Sequence, residues 1–421
     1  MSVTNETKTT NMEQPILTQK RVSDARPVLP SGFKASAVHC GIRVKKVKLD
    51  LGLIVGAQAF PAAALFTKNL LLGSHIVVCR ESLKKSGGKV RALLVNSGNA
   101  NCSTGEQGLE DNRRIQSALA ELIGCPPEQV LFMSTGVIGA RLPVEKILGA
   151  LPGLVTNASE RGLGDFAQAI MTTDLVPKVR TVAVEEKSGP PFRVTGVAKG
   201  SGMIHPNMAT MFGFLLSDGP AVKDVKQVLR SIADKSFHRL TVDGDTSPND
   251  TVLFWNSRVQ SAQQPNATSE ELLFKSVLDV SQELCRTIAA DGEGATRLVT
   301  VQVQGAPSEE AASIVARTIA TSPLTKTAVH GRDPNWGRIL AAAGRSGVEF
   351  DPRNARVWIG DADVYSDGKP HPENEGAAHL HLLNNHEVIL GVDLAKGTAS
   401  AEAWTCDFSA DYVRINADYR S

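Results

Sequence analysis

The chain has 421 residues, and its 45 Lys and Arg offset 44 Asp and Glu to leave a net charge of +1. That length supports a large buried core in two lobes or more, and the charge balance excludes an electrostatic nucleic-acid binder. No apolar run approaches the ~20 residues needed to span a membrane.

Residues 1–26 are polar and include Glu6, Glu13 and Asp24. They lack the apolar centre of a secretory signal, and their acids do not suit an Arg-rich transit peptide. A flexible arm on a cytoplasmic protein is expected. The six cysteines (Cys40, Cys79, Cys102, Cys125, Cys285, Cys406) form no CxxC pair. Free, mostly buried thiols are expected rather than a zinc site or a disulfide framework. The nine histidines show no metal-ligand spacing, so no metal centre is expected.

Strand and helix patterns alternate along the chain. Apolar runs at 51–55, 75–79 and 92–96 predict buried strands. Residues 106–122 place Leu109, Ile115, Leu119 and Leu122 at helical spacing, and Gly124, Pro126 and Pro127 stop that helix. Residues 129–134 predict a strand ending in the turn TGVIG. Pro143 opens a helix to about Leu151, and 159–171 predicts another. TVAVEE and FRVTGVA flank 187–191 as the arms of a hairpin.

The strand MFGFLLSD, a helix over 222–233 and a strand over 250–255 come next. A polar linker at 261–269 leads into a long helix over 270–290, then an alternating strand over 297–304. From Ser308 the expected order is helix, strand, the turn HGRDPNWGR and helix. HEVILGVD, SAEAWTCD and DYVRIN predict a strand-rich end. The fold class is α/β in α+β layers, with mixed sheets packed against helices. The half-exposed alternation of several strands disfavours a plain doubly wound parallel sheet.

Six small-residue loops sit at predicted strand ends: NSGNANCSTG (96–105), STGVIG (134–139), MTTD (171–174), TVDGDTSPNDT (241–251), DGEGAT (291–296) and HGRDPNWGR (330–338). Their number and placement point to a shared site. None matches a GxxxxGK[ST] phosphate loop, and no GxGxxG opens a helix, which disfavours nucleotide binding. GxSxG and HExxH are absent, which disfavours α/β-hydrolase and zincin readings. Taken alone, STGVIG reads as a tight strand-to-helix turn. Its Thr135 and Gly136 also offer a hydroxyl and an open N–H of the kind that stabilises an oxyanion. TVDGDTSPNDT lacks the full EF-hand pattern and reads as a structural turn. His330, Arg332 and Asp333 read as a helix cap.

The stretch KGSGMIHPNMATMFGF (199–214) crowds three glycines and a proline into an apolar run. Such a segment is either a constrained loop before a core strand or a device that presents Thr210. A threonine hydroxyl becomes a useful nucleophile when its own α-amine acts as base. Thr210 gains that amine only if the Ala209–Thr210 bond is cut.

Taken in order, PSGFKASAVHCGIR, NSGNANCSTG, STGVIG, MTTD, KGSGMIHPNMATM, TVDGDTSPNDT, DGEGAT, HGRDPNWGR and YVRINADYRS resemble the glutamate N-acetyltransferase, or ornithine acetyltransferase, family of arginine biosynthesis. The resemblance runs from about Gly32 to the last residue. It implies a self-cleaving threonine-nucleophile scaffold: an α chain (27–209) and a β chain (210–421) that stay intertwined and assemble as α2β2. It implies acetyl transfer from N2-acetylornithine to glutamate without a cofactor, with acetyl-CoA as an alternative donor. It also implies roles for residues: Thr210 as nucleophile, Ala209 and Thr210 as the cleavage junction, and Thr135 and Gly136 as the oxyanion hole. Thr173 (in preference to Thr172), Lys199, Thr210, Glu293, Asn416 and Ser421 would contact substrate. Pro248 and Cys102 depart from the family pattern at positions with no implied catalytic role.

Two rival functions remain at this level. A hydrolase or aminopeptidase on the same scaffold would pass the acyl group to water. An amino-acid-binding protein without turnover would keep its chain intact.

Overall fold

The apolar runs of the first half pair into one bent mixed sheet. The computed structural model describes residues 28–43, 48–185, 190–205, 211–258 and 267–418. Among them β1 (Phe33–Val38), β2 (Leu51–Phe66), β3 (Lys89–Asn99), β4 (Val130–Val137), β5 (Lys178–Val184), β6 (Phe192–Lys199), β7 (Phe212–Ser217) and β8 (Thr251–Asn256) form an eight-stranded sheet. Its order is β4-β3-β2-β8-β7-β6-β5, with β1 paired to β2. The β3–β4 and β7–β8 pairs are parallel and the others antiparallel.

Strand β2 joins two layers. Its residues 51–55 pair with β3 and its residues 62–66 with β8, with a register break between. Side chains alternate along each strand, so every strand serves two cores. Ile54, Leu93 and Leu131 share one core with Phe212, Phe214 and Leu253, which places the two parts of the sheet face to face. The opposite faces are covered by helices. Leu53, Leu94 and Phe132 pack with α2 (Gly105–Ile123) and α3 (Val144–Thr156). Val194, Leu215 and Phe254 pack with α5 (Val225–Asp234) and α6 (Ala267–Ala290). The shared core contains residues from before and after the 206–210 stretch. The short α4 (Leu163–Ala169) fills one end of that core with Leu163 and Phe166.

A second sheet follows, in the order β12-β11-β10-β13-β9-β14. It comprises β9 (Leu298–Ala306), β10 (Arg356–Ile359), β11 (Ala362–Ser366), β12 (Lys369–Pro370), β13 (Glu387–Asp393) and β14 (Ala399–Cys406). Here α7 (Glu309–Ala320), α9 (Trp336–Gly344) and α10 (Glu375–Asn384) bury Val315, Ile339 and Leu382 against Val301, Val357 and Leu390. The layered mixed α/β architecture matches the expected fold class.

Three expected strands are helices. The 75–79 run lies in α1 (Ser74–Lys85). Four apolar residues in a row do not separate strand from helix, whereas Ile76, Cys79 and Leu83 complete a helical face. The strand expected between Ser308 and the HGRDPNWGR turn is α8 (Pro323–His330), started by the Ser322 side chain accepting the Thr325 N–H and by Pro323 in the first turn. DYVRIN lies in α11 (Ala410–Asp418), where the Ser409 hydroxyl accepts the Tyr412 N–H at 3.4 Å. The expected helix over 159–171 contracts to α4, and the one expected to end near Leu151 runs to Thr156 with Pro152 inside it. The linker expected over 261–269 lies mostly outside the described residues, and α6 begins within it at Ala267.

Candidate active site

A cavity of about 100 Å³ lies where the strand ends of the two layers meet. It is lined by Ala100, Thr135, Gly136, Ile138, Thr172, Thr173, Lys199, Gly202, Met203, Ser247, Pro248, Asn249, Glu293 and Asn416. Five of the six sequence-flagged loops therefore converge on it. The structure brings Thr135, Gly136, Thr172, Thr173, Lys199, Glu293 and Asn416 together, and both threonines of MTTD face the cavity. Ala209, Thr210 and Ser421 lie outside the described residues. A wider groove of about 920 Å³ between β2, α1 and α5 contains none of these side chains.

The end of β4 shapes one wall. In register, Thr135 faces Ser97 and Gly136 faces Gly98 across the parallel β3–β4 pair, where the ladder becomes irregular. Gly136 has φ +134°, a conformation closed to side chains, and a Cβ there would stand 2.5 Å from Asn99 N. Lys199 closes β6 and is buried, and its Nζ donates to Thr135 Oγ1 at 3.4 Å. Burial lowers the Lys199 ammonium below its ordinary value, against the pull of Asp174.

Behind the wall runs a buried ionic chain that the motif reading missed. Lys178 Nζ donates to Asp174 Oδ1 at 2.6 Å and to Asp291 Oδ2 at 2.5 Å. Asp174 also accepts the N–H groups of Thr172 (2.9 Å) and Gly200 (2.7 Å). Asp291 accepts the Leu175 N–H at 3.1 Å, and its carbonyl accepts from Ser201 Oγ at 2.6 Å. These contacts fix the MTTD loop, the Lys199–Gly200 turn and the DGEGAT loop against one another. Burial alone would raise the Asp174 carboxyl, yet the Lys199 and Lys178 ammonium groups hold it far below the ordinary carboxylate range. MTTD and DGEGAT each carried one of these acids, but nothing local in either points to Lys178.

Glu293 and Asn416 form the opposite rim. Asn416 Nδ2 donates to Glu293 Oε2 at 2.9 Å, which brings α11 to the cavity. Gly202 passes so close to the Glu293 carboxylate that a Cβ would collide with it. Asp243 accepts the N–H groups of Met203 (2.6 Å) and Ile204 (2.9 Å), and Tyr412 Oη on α11 donates to it at 3.3 Å.

TVDGDTSPNDT does more than turn the chain. Asn249 Nδ2 donates to Ala100 O at 2.7 Å and Ser134 O at 2.6 Å, tying three loops together. HGRDPNWGR does not line the cavity. Its cap is Asn335, whose side chain accepts the Arg338 N–H at 3.1 Å. His330 instead pairs with buried Asp407 at 2.7 Å. No group of three or more His, Cys, Asp or Glu arranged to hold a metal occurs among the described residues.

A hydroxyl and an open N–H at a strand end, a buried ammonium and a carboxylate on the far rim suit a zwitterionic amino acid. They also supply donors for an oxyanion.

Comparison with known proteins gives a consistent result. Residues 34–421 match the model of the ArgJ family. The chain is 45% identical over 393 residues to the arginine biosynthesis bifunctional protein ArgJ of Parasynechococcus marenigrum (strain WH8102), covering 93% of this chain and 94% of that protein. It is 42% identical over 407 residues to the protein of the same name from Thermosynechococcus vestitus (strain NIES-2133 / IAM M-273 / BP-1), covering 92% and 96%. A solved structure of the arginine biosynthesis bifunctional protein argJ of Bacillus halodurans is 36% identical, with a TM-score of 0.46, covering 49% of this chain and 98% of that chain.

Proposed function

Because the chain belongs to the ArgJ family, we propose that it transfers the acetyl group of N2-acetylornithine to glutamate through an acetyl-threonine at Thr210. The observation that carries this reading is the convergence of Thr135, Gly136, Lys199 and Glu293 on one cavity at the chain's strand ends. The residue roles follow from chemistry. Lys199 holds the α-carboxylate common to N2-acetylornithine and glutamate, with Thr173 or Thr172 beside it. Glu293, steadied by Asn416, takes the ornithine side-chain ammonium. Ser421 completes the substrate contacts.

Transfer proceeds in two halves. The Thr210 hydroxyl attacks the acetyl carbonyl and loses its proton to the Thr210 α-amine. The oxyanion is held by Thr135 and the Gly136 N–H. The amide C–N bond breaks, and the proton leaves with ornithine. The glutamate amine then attacks the acetyl ester by the reverse sequence and restores the hydroxyl. Enclosure of the site favours amine over water.

The same donors serve an earlier cut between Ala209 and Thr210. The α chain (27–209) and β chain (210–421) remain joined by their shared core and assemble as α2β2. The reaction needs no cofactor. The word bifunctional in the relatives' names supports acetyl-CoA as a second acetyl donor. A cytoplasmic location is consistent with this chemistry; no helix among the described residues is long and apolar enough to cross a membrane.

Thr210→Ala tests the reading. Wild-type protein is expected to run as two fragments on a denaturing gel and to gain one acetyl mass on the Thr210 fragment when given N2-acetylornithine. Thr210→Ala is expected to run as one chain without transferase activity. Cleavage of Thr210→Ala at the same bond, or an acetyl label on another residue, would refute the assignment.

Glu293→Gln keeps the shape of the rim and removes its charge. A hydrogen bond to a charged group contributes about 1.5–3 kcal/mol. Steady-state kinetics should therefore show KM for N2-acetylornithine rising ~10- to 100-fold, with little change in KM for glutamate. An equal rise for both substrates would move the ammonium contact elsewhere.

A further inference from the structure

The proposed reaction leaves one buried acid unused, and that acid holds Met211, the residue that follows the nucleophile in the chain. Asp250 directly precedes β8 and is 0% exposed. Its Oδ1 accepts the Met211 N–H at 3.0 Å. Its Oδ2 is buried, and no hydrogen bond to it meets ordinary geometry among the described residues, although the Ser247 backbone and the Thr67 hydroxyl lie near the carboxyl. Buried carboxyl oxygens without a partner are rare because the desolvation goes uncompensated. The backbone holds Asp250 in place: its carbonyl accepts the Thr67 N–H at 3.0 Å, and the next residue, Thr251, pairs with Phe212 across β7–β8. Met211 directly follows Thr210 in the chain. The Thr210 nitrogen is therefore only a few covalent bonds from the N–H that Asp250 grips.

We propose that Asp250 is the acid that protonates the Thr210 nitrogen as the Ala209–Thr210 bond breaks. The proposal rests on the reading of Thr210 as nucleophile. The Thr210 oxygen forms a bond to the Ala209 carbonyl carbon, and the C–N bond to Thr210 breaks. The Asp250 carboxyl gives its Oδ2 proton to the departing nitrogen and recovers a proton from the attacking hydroxyl. The products are an ester and a free amine. Water then hydrolyses the ester, giving the Ala209 carboxylate and the Thr210 hydroxyl. Without a proton the nitrogen would leave as an amide anion, so the step needs an acid. Burial pushes the Asp250 carboxyl well above the ordinary carboxylate range, opposed by the Met211 N–H and the Lys199 ammonium. That favours the protonated form a donor requires.

The test follows cleavage of the full-length chain by intact-mass time course in wild type, Asp250→Asn, Asp250→Ala and Thr210→Ala, with thermal melts to confirm folding. Asp250→Asn can still accept the Met211 N–H but lacks the acid. Its cleavage is expected to be slower by at least ~10²-fold, the usual contribution of a general acid. Asp250→Ala leaves room for a small carboxylic acid, and added formate is expected to accelerate its cleavage while leaving Thr210→Ala uncut. Wild-type cleavage by folded Asp250→Asn would overturn the proposal. If Asp250→Asn does not fold, failure of formate to accelerate Asp250→Ala would overturn it. Cleavage of Thr210→Ala would instead overturn the underlying nucleophile assignment.

Discussion

Gly136→Ala is expected to give a chain that neither matures nor transfers acetyl groups. Gly136 has φ +134°, and a Cβ there meets backbone atoms of Gly98 and Asn99 rather than side chains that could move aside. Alanine must therefore shift the β3–β4 ladder at its C-terminal end or rotate the peptide. Holding a non-glycine residue in such a conformation costs on the order of 1–3 kcal/mol before any overlap is counted. Either relaxation moves the Gly136 N–H and the Thr135 hydroxyl. Losing one oxyanion donor lowers rates by ~10²–10³-fold. Because both donors sit on the same turn, the drop in kcat should reach or exceed that range. The check is cleavage on a denaturing gel together with transferase kinetics on folded protein. Thr135→Ala, which leaves the turn intact, should be the milder variant. Equal losses in the two would mean that the hydroxyl alone carries the function.

Lys178→Met is expected to be strongly destabilised. Lys178 is fully buried between Asp174 and Asp291. Removing it strips Asp291 of its ammonium partner and leaves Asp174 with the Lys199 ammonium alone, and breaking a buried pair in this way costs about 3–5 kcal/mol. Denaturant melts should show that loss. A second consequence is functional. Asp174 fixes the N–H groups of Thr172 and Gly200, and Asp291 orders the DGEGAT loop. Any Lys178→Met protein that folds should therefore bind substrate poorly. Combining it with Asp174→Asn and Asp291→Asn removes the stranded charges and should recover stability more than activity. A folded Lys178→Met with unchanged stability would show that the chain of charges is not a structural support.

Much of the fold was legible. The apolar runs at 51–55 and 92–96, the strand expected over 129–134, and the helical spacing of Leu109, Ile115 and Leu119 correspond to β2, β3, β4 and α2. Legibility failed where a short apolar run carried no decisive period. HIVVC became part of α1, and DYVRIN became α11, whose residues are all at least partly exposed. For α11 the packing that would favour a strand is missing, and the Ser409 cap decides instead.

Local chemistry in the sequence determined which residue types were present at the ends of strands, and the ordered motifs determined the family. Thr135, Gly136, Lys199 and Glu293 were each recognisable without coordinates. Only the tertiary structure decided that these loops meet. Their meeting depends on the register break in β2, which turns one part of the sheet onto the other. It also depends on contacts such as Lys178 to Asp291, 113 residues apart. Periodicity reports how a segment faces its own core over a few turns or strand pairs. It contains no information about which distant charge will satisfy a buried ammonium, because that pairing exists only after the layers have closed.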